Sequence, residues 1–336
     1  MSMYPWNGVS NKRSGRPRVL VDNNVWRYVV DARAGGRLAL AARDGAYDVQ
    51  IAPSVVYEAL RTRDPALRKA LVSVMTDRRF VRLMPEAYSE SMEILREIER
   101  LHPAWLRTSP NREFVRRLEA DWRQKTSGFW VRCATAPEAE ADRLSQGGDG
   151  VMMHGARAQA ENARQEIRDV GWKKSPAMDE IRVSFSEPRA GWAGDTFEPW
   201  RMDGLAGLTY ALSRRGSAYR DWIASFVTIE NGLLSSAEWL RFWVYEADET
   251  RMPRQWMRWA HAFSQRFRKV TPGTPADTQL ATYFFDTDLV VSADKALLDT
   301  LEECRPYSPC PLPAGKLIEG GVRAVEPLLA FLKTNA

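Results

Sequence analysis

The chain has 336 residues, of which 44% are hydrophobic and 27% charged, and this excludes a disordered, fibrous or coiled-coil protein. No apolar run approaches the roughly 20 residues that cross a bilayer, and the first residues lack the apolar core of a secretory signal. Three scattered cysteines and three separated histidines predict neither a disulfide framework nor a Cys/His metal site, so we expect a reduced, cytoplasmic protein without membrane attachment.

The net charge of +5 is distributed unevenly along the chain. Residues 1–104 carry 17 Lys and Arg against 12 Asp and Glu, residues 105–270 carry 26 against 22, and residues 271–336 carry 5 against 9. A basic surface favours a polyanionic partner. The acidic excess in the last part would suit a divalent-cation site, although acids that only coat a surface helix are the simpler explanation.

The first hundred residues predict a parallel α/β sheet. Short apolar runs at 18–22, 48–52 and 80–84 are typical of buried strands. Helical segments separate them, and a longer helix is expected from about 85 to 101. Strands that alternate with helices in this way favour a parallel sheet with helices on its faces.

The alternation stops in the middle of the chain. Residues 105–270 hold 11 of the 13 tryptophans and show little β periodicity, so we expect a mostly helical insert with its own small core. The glycines at 147–150 predict a loop within it. Aromatic-rich amphipathic helices are expected at 233–247 and 254–268.

The α/β pattern returns after a Pro- and Gly-containing loop at 271–275. A helix is expected at 276–285, a buried strand at 289–293, and helices at 295–303 and 322–334. The sequence therefore predicts one α/β domain that is interrupted between its third and fourth strands.

The predicted organisation has three parts. A split α/β domain comprises 18–101 and 271–336, and the helical insert occupies 102–270 between them. Residues 1–17 are expected to form a flexible N-terminal segment.

Four acidic residues stand where a parallel sheet places its ligand site. Asp22 ends the first predicted strand and Asp294 the fourth, Asp277 opens the helix that leads to the fourth strand, and Glu58 lies one turn into the helix after the second. Ligands of open parallel sheets bind beyond the carboxyl ends of the strands. A single aspartate after a strand is more often a turn or cap residue, but four acids at one edge predict a shared site.

The residues around these acids resemble the motifs of the PIN-domain family. The resemblance lies in four segments that occur in the family's order: VLVDNNV at 19–25, IAPSVVYEAL at 51–60, DTQLA at 277–281 and VVSADK at 290–295. It implies a PIN-like parallel sheet flanked by helices. The chain departs from the family at 102–270, where the family usually has a short loop.

The resemblance implies a metal-dependent ribonuclease that hydrolyses RNA phosphodiester bonds. Carboxylates are ligands that suit Mg²⁺ or Mn²⁺, and the family implies this role for Asp22, Glu58, Asp277 and Asp294. Asn24 and Ser292 are expected to orient two of them, Asp22 and Asp294, through hydrogen bonds, with a cap or turn role as the alternative.

Two further acids, Asp286 and Asp288, are excluded from the site. They precede the fourth strand, so we expect them at the opposite edge of the sheet from its carboxyl end.

The insert offers a second possible RNA contact. Tryptophan and arginine interleave at 239–243 and 254–259, a composition that could bind single-stranded RNA through stacking and phosphate contacts, with Arg241 and Arg258 as test positions. We favour the simpler interpretation that these tryptophans form a core. Because the insert joins the domain near Asp277, we expect it to lie beside the acidic cleft.

Two functions from different classes follow. The leading one is an endoribonuclease in a toxin-like or RNA-processing role, with RNA as substrate and an antitoxin or regulatory protein as a possible partner. The alternative is a PIN-like RNA- or protein-binding module with little or no catalysis. A flap-type DNA nuclease ranks lower because no helix-hairpin-helix pattern is evident.

Overall fold

A computed structural model describes residues 15–124, 126–146, 148–169, 171–172, 175–270 and 273–334. Of the segment predicted to be flexible, residues 1–14 lie outside the described part.

Five parallel strands form one sheet in the order β3-β2-β1-β4-β5. The strands are β1 (Arg18–Val21), β2 (Asp48–Ile51), β3 (Val81–Arg82), β4 (Leu289–Ser292) and β5 (Ala314–Leu317). The chain adds β2 and β3 on one side of β1 and returns to add β4 and β5 on the other. The expected α/β fold with a parallel sheet is confirmed, and its topological switch point lies between β1 and β4.

Helices of ordinary length connect and follow the first three strands. They are α1 (Asn23–Asp31), α2 (Gly35–Asp44), α3 (Pro53–Leu60), α4 (Pro65–Met75) and α5 (Glu86–Leu101). Asp64 caps α4 by accepting hydrogen bonds from the backbone N–H groups of Ala66 and Leu67, at 2.9 and 3.3 Å. The apolar run of β1 explains its central place, because Val19, Leu20 and Val21 are fully buried.

The middle of the chain is helical and, within its described residues, adds no strand to the sheet. Its helices are α6 (Arg112–Arg123), α7 (Phe129–Thr135), α8 (Pro137–Gln146), α9 (Gly148–Asp169), α10 (Pro199–Ser213), α11 (Ala218–Ala224), α12 (Asn231–Leu234), α13 (Ala237–Arg241) and α14 (Pro253–Gln265). A π-helix at Phe242–Glu246 continues α13, and short 3-10 helices occupy Pro103–Trp105 and Met178–Glu180. The loop predicted at 147–150 is wrong for residues 148–150, which begin α9.

The chain then returns to the sheet. The closing helices are α15 (Thr274–Ala281), α16 (Lys295–Cys304) and α17 (Val325–Lys333), with 3-10 turns at Thr282–Asp286, Arg305–Tyr307 and Val322–Ala324. The last strand, β5, was not predicted from the sequence, because it is short, largely exposed and defined by its pairing with β4.

The helical middle shares the core of the sheet. One continuous buried cluster joins sheet residues such as Leu20 and Val290 to Trp130, Trp243 and Met257 of the middle segment. A small separate cluster does exist around Phe185, Phe197, Leu240 and Val244. The expectation of an insert built on its own core is therefore wrong for most of its apolar residues. None of the helices in the described residues is both long and apolar enough to cross a membrane.

Candidate active site

Asp22 lies at the carboxyl end of β1 and caps α1. Its carboxylate accepts hydrogen bonds from the backbone N–H of Asn23 and from the hydroxyl of Ser292, both at 2.6 Å, and the Asn24 side chain also contacts it. Only 6% of Asp22 is exposed. Burial raises the pKa of Asp22, the three hydrogen bonds oppose that rise, and the negative charge of Asp294 adds to it.

Ser292 joins the ends of the two central strands. Its hydroxyl donates to Asp22 and accepts a hydrogen bond from the backbone N–H of Asp294 at 2.8 Å. Asn24 makes a second link, because its side-chain oxygen accepts from the N–H of Ala293 at 3.3 Å. The structure therefore brings Ser292 and Asn24 against Asp22 and the turn after β4, as the sequence predicted.

Asp294 caps α16. Its Oδ1 accepts from the N–H groups of Ala296 and Leu297 at 2.7 and 3.3 Å. Both strand-terminal aspartates thus have the helix-capping role that is common after a strand. Capping occupies only part of each carboxylate, which has about four lone-pair positions, so it is compatible with a further ligand.

Glu58 projects from the second turn of α3 towards Asp22. Burial raises the pKa of Glu58 to about 7, and the charge of Asp22 contributes to the rise. A hydrogen bond from the Asn23 side chain and the charge of Arg61 act in the opposite direction. Asn23 was not singled out from the sequence, and its side-chain oxygen is buried without a hydrogen-bond partner among the described residues.

Asp277 in the first turn of α15 is coupled to the other three acids. Burial raises its pKa well above the usual value, and the charges of Asp22, Glu58 and Asp294 raise it further. A side-chain hydrogen bond from Gln265 of α14 partly offsets these effects. Because Asp277 interacts with all three, the four carboxylates lie around one region at the switch point of the sheet.

The charge of Arg61 offsets part of the negative charge of this region, because it acts against the rise in the pKa of Glu58. Within the described ranges, hydrogen bonds are the main opposing influence on Asp22 and Asp277. The same part of the chain contains no group of three or more His, Cys, Asp or Glu side chains arranged so that they could hold a metal ion as they stand.

Asp286 and Asp288 lie away from this site, as predicted. Asp288 pairs at 2.9 Å with Arg18, the first residue of β1, and is therefore at the amino end of the strands. Asp286 pairs with Arg254 of α14 at 2.8 Å.

The interleaved tryptophans of the middle segment belong to the core. Trp239, Trp243, Trp256 and Trp259 are all at least 94% buried, which confirms the simpler interpretation and excludes a stacking surface built from them. Arg258 is likewise unsuited to bind a phosphate, because it forms an ion pair with the buried Glu90 of α5. Arg241 remains exposed.

Comparison with known proteins identifies no relative. The chain matches no protein-family model, no curated protein sequence and no solved structure. The chemistry of the region therefore has to be inferred from its own residues.

Proposed function

We propose that the chain is a metal-dependent endoribonuclease. The single observation that carries the proposal is the convergence of Asp22, Glu58, Asp277 and Asp294. Burial raises the pKa values of Asp22, Glu58 and Asp277, and the charges of neighbouring acids in the group raise them further. Electrostatically strained carboxylates are typical of functional sites.

A PIN-like core is part of the proposal. The parallel sheet and the position of the acids at the β1/β4 switch point support it, together with the four motif-like segments of the sequence. In this interpretation 18–101 and 271–336 form the nuclease domain, and 102–270 is an insertion that packs on it through a shared core.

The donor set suits Mg²⁺ or Mn²⁺. Carboxylate oxygens are hard ligands, and an ion would offset the burial and the like charges that together raise the pKa of Asp277. Asp22, Glu58, Asp277 and Asp294 would hold it, directly or through water, after drawing closer together. When bound, a divalent ion activates water and neutralises charge on a scissile phosphate.

The chain's own residues orient these acids. Ser292 and the backbone of Asn23 fix the two oxygens of Asp22, and the Asn23 side chain holds Glu58. Such supporting hydrogen bonds commonly change activity or metal affinity by roughly 10–100-fold when they are removed.

A binding module with little or no catalysis is the second candidate. One observation favours it: in the described residues the acids do not stand close enough to hold a metal ion together. In that case the region would bind RNA or a protein. An antitoxin or regulatory protein, as expected for a toxin-like protein, would be such a binding partner.

The experiment that separates the two measures cleavage of a labelled single-stranded RNA with Mg²⁺, with Mn²⁺ and with EDTA. We expect wild-type protein to cleave with either metal and to stop in EDTA. Asp22→Asn should lower the rate more than about 100-fold, beyond the effect of removing a supporting hydrogen bond, while keeping the fold because asparagine also caps helices.

The control is Asp299→Asn, the same substitution at an exposed position of α16. It should cleave at the wild-type rate. Equal cleavage by wild type and Asp22→Asn would assign the activity to a contaminant or another site, and binding without cleavage under every condition would favour the binding module.

A further inference from the structure

A cavity of about 390 Å³ lies at the amino end of α6, away from the acidic region. Two arginines, one carboxylate and an aromatic ring line it, namely Arg107, Arg220, Asp221 and Phe114, together with the polar side chains of Asn111 and Ser109. The Nε of Arg107 donates to the carbonyl oxygens of Ala224 and Val227, at 2.8 and 3.2 Å, so its position is fixed by the backbone. A ring beside positive charge and hydrogen-bonding groups is the chemistry that binds a nucleotide.

The other end of α6 contacts the helix that carries Glu58. Trp122 in its last turn packs against Tyr57, with ring centroids 6.4 Å apart, and Tyr57 immediately precedes Glu58. Phe129 of α7 packs on the same Tyr57 ring at 5.5 Å. Because twelve helical residues span about 18 Å, α6 leads from the cavity to α3, the helix that carries Glu58.

A row of arginines follows α6 between these two ends. Arg112, Arg116 and Arg123 fall within about 40° of one another around the helix axis at 100° per residue. All three are exposed, and the Nη2 of Arg123 donates a hydrogen bond to the hydroxyl of Tyr88 at 3.4 Å. Glu119 lies on the same side of the helix, three residues after Arg116 and four before Arg123, and accepts a hydrogen bond from Tyr88 at 3.2 Å.

We propose that α6 and its cavity bind single-stranded RNA, with a base stacked on Phe114 in the cavity and phosphates along Arg112, Arg116 and Arg123. This inference rests on the proposed function and identifies the surface that would bind the RNA substrate. It moves the RNA contact of the helical segment from the buried tryptophans and Arg258 to an exposed face that runs from the cavity to the helix of Glu58.

The test measures binding of a fluorescein-labelled oligouridylate by fluorescence anisotropy across a salt series, with full-length protein in EDTA so that nothing is cleaved. The Arg116→Ala/Arg123→Ala double variant should bind more weakly. The magnitude of its slope of log K against log salt should be about 1.4 smaller than that of wild type, or about 0.7 smaller for each phosphate of a single strand that the variant no longer neutralises. The control, Arg78→Ala, removes an exposed arginine before β3 at the amino end of the sheet and should leave the slope unchanged.

Phe114→Leu tests the cavity separately. It keeps an apolar side chain but removes the aromatic face, so affinity should fall about five-fold or more with no change of slope. A double variant whose slope and affinity equal those of Arg78→Ala overturns the proposal, as does wild-type protein that does not bind the strand. If binding depends on α6 but wild-type protein never cleaves RNA with Mg²⁺ or Mn²⁺, the nuclease assignment fails and the binding surface stands.

Discussion

At the scale of single residues, Asp277 has an unfavourable electrostatic environment. Its pKa is raised by burial and by three like charges, so the native state binds more protons than the unfolded state between the ordinary and the raised pKa. Stability therefore decreases as the pH rises through that interval when no cation is present. The residue weakens the metal-free fold, as expected of a group retained for function.

We predict that Asp277→Asn stabilises the protein in EDTA above about pH 7, where Glu58 also ionises. The gain in the free energy of unfolding should be comparable to the roughly 0.5–2 kcal/mol of single stabilising changes. Added Mg²⁺ should stabilise wild-type protein more than the variant, because a ligand that binds the native state shifts unfolding by mass action. Urea unfolding with and without Mg²⁺ measures both effects, and Asp299→Asn serves as control. An equal response of wild type and variant to Mg²⁺ would remove Asp277 from the site.

His261 affects the pH dependence of stability in the opposite direction to Asp277, because it lowers stability as the pH falls. It is fully buried in α14, its Nδ1 lies 3.2 Å from the Thr278 hydroxyl, and its Nε2 has no hydrogen-bond partner within the described ranges. Burial, followed by the charge of Arg268, lowers its pKa from 6.5 to about 3. Below pH 6.5 the His261 side chain therefore binds a proton in the unfolded chain, whereas in the native state it stays neutral until the pH falls to about 3.

We predict that His261 lowers stability by about 1.4 kcal/mol per pH unit as the pH falls below its unfolded pKa. His261→Gln removes this contribution, so the difference in unfolding free energy between the two proteins should change with pH in this range and level off above it. Urea titrations between about pH 5 and 7.5 measure that difference. A difference that does not vary with pH would mean that His261 is protonated in the native state.

At the scale of elements, α5 and α14 are held together by buried ion pairs. Glu90 and Glu93 of α5 are 1% and 3% exposed, and they pair with Arg258 and Arg254 of α14. Tyr219 completes the arrangement by donating to Glu90 at 3.0 Å. Since α5 follows β3 and α14 precedes the helix of Asp277, this contact fixes the helical segment against the sheet.

We predict that Arg258→Ala lowers the free energy of unfolding by about 3–5 kcal/mol, because it leaves the buried Glu90 without its counter-charge. The double variant Arg258→Met/Glu90→Gln should recover much of this stability, since neither buried charge remains. Arg241→Ala, at an exposed position, should stay within about 0.5 kcal/mol of wild type. Urea unfolding of the four proteins measures these values, and a small effect of Arg258→Ala alone would mean that water reaches Glu90.

At the scale of the whole molecule, the continuous core predicts that the sheet and the helical segment unfold together. Tryptophan fluorescence reports mainly on 105–270, which hold 11 of 13 tryptophans, while far-UV circular dichroism reports on the whole chain. Their urea transitions should coincide, as expected for one cooperative unit. Replacing 102–270 by a short linker should expose the core and prevent folding, and two separate transitions would contradict a shared core.

Local sequence signals predicted much of this architecture. The runs that became β1, β2 and β4 are short and apolar, and α5 occupies the expected residues because its periodicity is clear. By contrast, β5 has the sequence AGKL and is mostly exposed, so only its pairing with β4 identifies it. The sequence also did not predict which elements the helices of 102–270 pack against, because an apolar helix face does not reveal which surface it will cover.

For the candidate site, the positions of the acids were predictable from the sequence, but the hydrogen bonds that orient them were not. Acids at strand ends must share an edge in a parallel sheet, and this rule was enough to bring Asp22 and Asp294 together. Asp277 lies in the first turn of the helix that leads to the fourth strand, so it lies at the same edge. The hydrogen bonds of Asn23 to Glu58 and of Gln265 to Asp277 depend on how helices from distant parts of the chain are placed. No local pattern marks either residue.

The separation of Asp22 and Asp294 along the chain has a consequence for biosynthesis. Ribosomes release the N-terminal strands first, and β1 receives its neighbour β4 only after the whole helical segment has been synthesised. A nascent or prematurely terminated chain that lacks Asp277 and Asp294 cannot complete the acidic region. If that region cleaves RNA, a cell translating this protein is exposed to its activity only after the segment that carries Asp277 and Asp294 has been synthesised.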